Sequence, residues 1–179
     1  LAERFGVPRE RDLTIMSRPT SKALPHAAIP AGVVVRTFRD TDLDALLEVN
    51  GHAFANHPEQ GHMSAEDFRE RASEAWFDPE GLFVAVSEGD LDGDIIGFHW
   101  TKVHRDEEPP YGEVYVVAVS PRAAGQGLGK VLTNIGLAHL ADSGVAEVIL
   151  YVDGNNEPAI AVYQGQGFET VRTEAQYRG

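Results

Sequence analysis

The chain switches between two hydrophobic periods, and each switch marks an element. VVVRTF, beginning at Val33, reads as a strand, and behind it Leu43, Leu46 and Leu47 share one helical face, with Asp40 or Thr41 able to cap the helix. A second helix is predicted over SAEDFRERASEAWF, where Ser64 and Asp67 are placed as a capping box and Phe68, Ala72, Ala75 and Trp76 form one stripe. The period then shortens to two. LFVAVSEGDLDGDIIGFHWTKVH predicts two strands about an Asp92-Gly93 turn, and Glu113 to Val119 a third antiparallel strand. Past the glycines that follow, a helix is predicted to about Asp142, its stripe running through Leu128, Val131, Leu132, Ile135 and His139. AEVILYVD is apolar enough to predict a strand buried on both faces, EPAIAVYQGQGF a last helix and FETVRTEAQY a closing strand.

From residue 33 the order is therefore β-α-α-β-β-β-α-β-α-β. It predicts an α/β (α+β) sandwich: a mixed, mostly antiparallel sheet with helices on both faces, and one right-handed crossover into the strand at residues 146–153. Upstream, Asp12 to Ser17 is strand-like. Residues 1–18 read as the end of a preceding unit, with a floppy arm as the alternative, residues 19–32, rich in Pro, Ala and Ser, as a linker, and residues 33–179 as the main domain.

Composition narrows the function. A length of 179 residues suits one main core. The formal net charge of -13 argues against broad contact with nucleic acid or anionic lipid, so an anionic ligand would be held locally by backbone N–H groups. No apolar run nears the roughly 20 residues that a bilayer crossing needs. With no cysteine there is no disulfide frame and no thiolate zinc site, and His52, His57 and His62, five residues apart, do not share a helix face. A cytoplasmic monomer with a small-molecule substrate and no metal is expected.

The chemistry gathers at Gly125, Gly127 and Gly129, between a strand and a helix. A dinucleotide fingerprint fails in both registers, at Lys130 and at Leu132, and a phosphate-binding P-loop fails at Ala124 and Val131. What remains is a run of small residues exposing N–H groups into a helix N-terminus, able to wrap a pyrophosphate; a tight turn needing glycine only for its dihedrals is the alternative.

V-x-P-R-x-x-G-x-G-L-G from Val119, followed by a helix, a buried strand, the Asn155-Asn156 pair and Y-x-x-x-G-F from Tyr163, resembles the acetyl-CoA core of the GNAT superfamily of N-acetyltransferases, and Arg122 to Gly127 fits its signature at every defined position. The resemblance implies that acetyl-CoA meets Val117, Ala118 and Val119, then Ala124, Gly125, Gln126, Gly127, Leu128, Gly129 and Lys130, with Asn156, Glu157, Pro158, Ala159, Ile160 and Ala161 on the other side. Whether the Arg122 side chain reaches a phosphate stays open.

AFANHPEQG, EAWFDPEGL, GFHWTKVH and GEVYVVAVSP further resemble the mycothiol synthases, tandem GNAT proteins whose second domain is the active one. That likeness implies acetylation of the cysteinyl amine of Cys-GlcN-Ins, with residues 1–18 ending an upstream GNAT domain of the same chain. It also implies Glu113 as base, Tyr163 as acid, and Glu59, Lys102, Glu113 and Tyr151 as substrate contacts. Read without it, Glu113 could be a surface carboxylate, Tyr163 and Tyr151 core aromatics, Lys102 an edge lysine and Glu59 a solvated turn residue. The competing functions are acetylation of another amine, such as a protein N-terminus or an aminoglycoside, and CoA binding without turnover.

Overall fold

The computed structural model describes residues 9–57, 60–88 and 93–177. Its elements are β1 (Arg9–Pro19), β2 (Val33–Thr37), α1 (Leu43–Ala53), α2 (Ala65–Ala72), β3 (Leu82–Ser87), β4 (Ile95–His104), β5 (Tyr111–Val119), α3 (Leu128–Asp142), β6 (Glu147–Asp153), α4 (Glu157–Gly165) and β7 (Glu169–Tyr177). From β2 onward this is the predicted order. All strands join one sheet, β2-β3-β4-β5-β6-β1-β7, in which β5 and β6 run parallel through α3 and the other paired strands are antiparallel. No helix among the described residues is long and apolar enough to cross a membrane.

Strand alternation gives β4 two different faces. Phe98 and Trp100 turn toward α1 and α2, where Leu46, Val49 and Phe68 close over them. Phe68, Trp76, Phe77 and Tyr115 all place their ring centroids within 4.8 to 5.9 Å of the Trp100 ring. Burying an aromatic of this kind contributes about 2 to 3 kcal/mol, so this cluster is a main anchor of the fold. The opposite face meets α3. There Gly97 and Gly112 leave room for Leu132 and Leu140, and a Cβ on Gly136 would overlap the His99 ring.

The β4–β5 ladder slips by one residue. Trp100 pairs with Val116 and Thr101 with Val114, which leaves Tyr115 as an extra residue on β5. Such a bulge bends its strand. On its other edge β5 pairs with β6 only at Gly112↔Val148 and Glu113↔Ile149.

Several expectations change in detail. α2 stops at Ala72 because the Ser73 N–H turns back to carbonyls of the last turn, so Trp76 lies beyond the helix. The Ser64–Asp67 capping box is present as predicted. Neither Asp40 nor Thr41 caps α1 by a side chain; a 3-10 turn at Asp40–Asp42 leads into it, and the Asp42 carboxylate instead holds Arg36 through two bonds of 2.7 and 2.9 Å. The buried face of α3 runs through Leu128, Leu132, Gly136, Leu137 and Leu140, with Ile135 and His139 only half-buried. β6 is not buried on both faces. Val148, Leu150 and Val152 enter the core while Tyr151 is exposed, because no helix among the described residues covers that face of the strand as α3 covers the other.

Asp12 to Ser17 lies within β1, which inserts between β6 and β7; residues 1–8 and Asp92 of the turn lie outside the described residues. Residues 20–32 carry no strand or helix, yet they are anchored. Thr20 Oγ1 donates to the Val145 carbonyl at 2.8 Å, and Asn134 Nδ2 to that of Pro25 at 2.8 Å.

His99 makes the core sensitive to acid. Fully buried, it donates from Nδ1 to the Leu132 carbonyl at 2.8 Å, and burial lowers its pKa from 6.5 to about 4. The fold thus prefers the neutral ring. Its contribution is complete above pH 6.5 and is lost as pH falls toward 4, since the unfolded chain takes up the proton first; the full loss is about 3 kcal/mol. Urea unfolding from pH 7 to 4 should show this decline, and His99→Leu should flatten it; equal slopes for the two proteins would contradict the assignment.

Candidate functional site

The turn after β5 is built from its dihedrals outward. Pro121–Ala123 form one 3-10 turn, Ala124 is extended, and Gly125 and Gly127 take φ of +81° and +77° before α3 starts at Leu128. Only glycine adopts that region without strain. A Cβ on either glycine would meet nothing within 4 Å, so the turn faces open space rather than packed atoms. Leu128 is buried against Ala85, Ile96 and Leu132 and fixes the turn to the core. The N–H groups of residues 125–130 find no backbone carbonyl among the described residues. The positive φ values bear out the dihedral reading of these glycines, and bare N–H groups at the start of a 15-residue helix are the geometry that an anion cradle needs. Gln126 is exposed and Gly129 and Lys130 half-exposed on this surface, whereas Arg122 turns to Asp94 at 3.5 Å.

The cradle continues into the gap beside β5. Beyond Glu113, β5 has no ladder partner on the β6 side, so its polar backbone edge is open there. Val117 and Val119 lean toward the α3 face and Ala118 toward α1. Across the gap, Ala159, Ile160 and Tyr163 of α4 pack in the same cluster as Val114 and Val117. Asn156 caps α4, accepting from the Ala159 N–H at 3.3 Å, while Glu157, Pro158 and Ala161 are exposed. The Tyr163 ring meets Phe168 edge-on at 5.9 Å, and its hydroxyl has no hydrogen-bond partner among the described residues. Burial raises its pKa, which keeps the phenol protonated. An open strand edge, an apolar wall and an anion cradle at one end fit an extended, amide-bearing arm that finishes in phosphate.

Glu113 stands where β5 and β6 part. It is only 7% exposed, and its Oε1 accepts from His104 Nε2 at 2.8 Å, which rules out the surface-carboxylate reading. The His104 ring stacks on Tyr111 at 4.4 Å and 22°. Lys102 pairs with Glu113 and His104 with Tyr111 across the ladder, so all four share one face. Tyr111, Tyr115 and Tyr151 surround this carboxylate; burial raises the pKa of each, and the Glu113 charge adds to it. Tyr151 is not sheet core but 46% exposed on the open face of β6.

Lys102 extends over aromatic rings rather than along a sheet edge, with Nζ 4.6 Å from the Trp76 centroid and 5.6 Å from that of Tyr115. It lines a cavity of about 530 Å³ together with Asp67, Glu70, Arg71, Glu74, Trp76 and Tyr115. Glu59 lies outside the described residues. His57 belongs to a polar knot instead of a metal centre: its Nε2 lies 3.2 Å from Arg11 Nη1, which in turn lies 3.4 Å from Asp153. The described residues hold no group of three or more His, Asp or Glu placed to bind a metal.

Sequence reasoning missed His104, Tyr111 and the aromatic seat of Lys102. Strand alternation puts Lys102 on the Trp100 face, and one further step of two along β4 would have found His104 there too. His104→Phe keeps the stacking on Tyr111 but leaves a buried carboxylate without its donor; urea unfolding at pH 7 should show a loss of about 1 to 3 kcal/mol, and an unchanged midpoint would contradict the pairing.

A model of the acetyltransferase (GNAT) family matches residues 46–168. A mycothiol acetyltransferase from a Nocardioides species is 50% identical over 190 residues, spanning 99% of this chain and 64% of that protein. One from Thermomonospora curvata is 51% identical over 180 residues, spanning 99% and 58%. The chain thus covers about three-fifths of the length of these relatives. A GCN5-related N-acetyltransferase from Sphaerobacter thermophilus shares the fold, with a TM-score of 0.77 at 24% identity over 99% of this chain and 54% of that one.

Proposed function

This chain belongs to the acetyltransferase (GNAT) family, and on that premise we propose that it moves the acetyl group of acetyl-CoA onto the cysteinyl amine of Cys-GlcN-Ins, as a mycothiol acetyltransferase. The observation that carries the reading is the position of Glu113, a buried carboxylate held by His104 at the point where the β5 edge opens.

Acetyl-CoA supplies an activated thioester when bound. The residues fit it: N–H groups of Gly125, Gln126, Gly127, Leu128, Gly129 and Lys130 meet the pyrophosphate, and the open β5 edge at Val117, Ala118 and Val119 pairs with the amides of its arm. Asn156 to Ala161 flank it from α4. An α-amine is partly protonated at neutral pH and attacks only as the free base, so Glu113 takes its proton, directly or through one water. A β5 N–H at Val117 or its neighbour polarises the thioester carbonyl. Tyr163, kept protonated by burial, gives its proton to the departing thiolate. Lys102 and Tyr151, with Glu59, hold the rest of the acceptor.

The relatives are longer, and we place residues 1–18 as the end of an upstream GNAT domain. β1 lies inside this sheet, between β6 and the edge strand β7, so the two units would be joined through a shared strand. A monomer acting on dissolved substrates in the cytoplasm is the setting this reading expects.

Mass spectrometry of reactions with acetyl-CoA and Cys-GlcN-Ins, beside an aminoglycoside and a peptide N-terminus, should find one acetyl group on Cys-GlcN-Ins alone. Glu113→Gln should lower kcat/KM by about 10² to 10⁴ with acetyl-CoA affinity unchanged. Full activity of that variant across pH would remove the base, and acetylation of another amine in place of Cys-GlcN-Ins would redirect the substrate.

A further inference from the structure

The cavity beside Lys102 carries charges of both signs that do not meet. Among the described residues no carboxylate reaches ion-pair distance of its ammonium, which rests instead against the faces of Trp76 and Tyr115. Arg71 lies over the same Tyr115 ring at 5.9 Å. Asp67 is engaged in the Ser64 capping box, whereas Glu70 and Glu74 line the cavity with no ion pair among the described residues. Left to itself, a lysine on a flexible four-carbon stem would fold toward a nearby carboxylate. Two aromatic quadrupoles hold this one away from that collapse.

The chemistry of the lining selects an occupant. A polycation would be repelled by Lys102 and Arg71, and an anion by Glu70 and Glu74. A neutral saturated ring bearing many hydroxyls satisfies both, accepting from the ammonium, donating to the carboxylates and laying its C–H face on an aromatic floor. The cavity adjoins the reacting carboxylate, since Lys102 and Glu113 are register partners on one face. Its volume of about 530 Å³ leaves room for such a ring beyond the amine.

We propose that Trp76 is a positioning residue: its ring keeps the ammonium of Lys102, already placed above as an acceptor contact, unpaired and available to the hydroxyl-rich half of the acceptor. The inference rests on the acetyl transfer argued above, and Trp76 acts through Lys102 without touching the reacting atoms.

The test compares two acceptors, Cys-GlcN-Ins and cysteinamide, which offers the same amine without the rings. Trp76→Leu should lower kcat/KM for Cys-GlcN-Ins about tenfold or more, mostly through KM, and leave cysteinamide within about twofold, while Lys102→Met should lower kcat/KM for Cys-GlcN-Ins at least as much. Combining them should cost no more than Lys102→Met alone, because the two act as one unit. Trp76→Phe should restore much of the loss. Lys102 is one of three lysines, with Lys22 and Lys130, so its ¹³Cε and Hε signals can be assigned by substitution and should carry an upfield ring-current shift that Trp76→Leu abolishes. Equal losses on both acceptors, full additivity, or an unshifted Lys102 signal would overturn the proposal. A wild-type chain that acetylates Cys-GlcN-Ins while Trp76→Leu is neutral overturns it alone; a wild-type chain inactive on Cys-GlcN-Ins overturns the reading beneath it.

Discussion

The brevity of the β5–β6 ladder governs the rest of the molecule. Two parallel strands tied by a crossover helix would ordinarily pair along their length, yet these pair at two positions and then part. The extra residue at Tyr115 gives the cause, since a bulge on the β4 side turns β5 away from its other neighbour. Parting exposes the β5 backbone edge in the interior of a sheet, where an unpaired polar group is costly unless something pairs with it. The same bulge sets Tyr115 beside Lys102 and so shapes the cavity that both line. One irregularity thus opens a slot on one side, where we propose the donor lies, and furnishes a wall of the Lys102 cavity on the other.

The two faces of the sheet divide the labour. On the α3 face, Gly97, Gly112 and Gly136 let the helix come close, and that tight packing holds the glycine turn at the end of β5 through Leu128. On the other face β4 grades from the apolar Phe98 and Trp100 to the polar Lys102 and His104 in steps of two residues. Its inner end builds core and its outer end builds site. The Arg11–His57–Asp153 knot extends the polar side by tying the segment after α1 to β1 and β6.

Local patterns made much of this readable. Period changes gave the element order from β2 onward, and the spacing of Gly125 and Gly127 located the turn whose positive φ the structure contains. Glu113, Lys102 and Tyr163 were picked out by resemblance, and the structure brings Glu113 and Lys102 together as register partners. What stayed hidden depends on contacts distant in sequence. The place of β1 between β6 and β7 follows from pairings more than a hundred residues apart. The one-sided burial of β6 follows from which face the described elements leave uncovered. The His104–Glu113 bond needs the hairpin register, which a bulge shifts.

Amide hydrogen exchange with and without acetyl-CoA tests the central claim, that the parted β5 edge and the glycine turn seat the donor. Protection should rise at residues 114–119 and 125–130 and stay constant in β2 and β7, the outer strands of the sheet. Acetyl-CoA binding that leaves the β5 edge unprotected would contradict it.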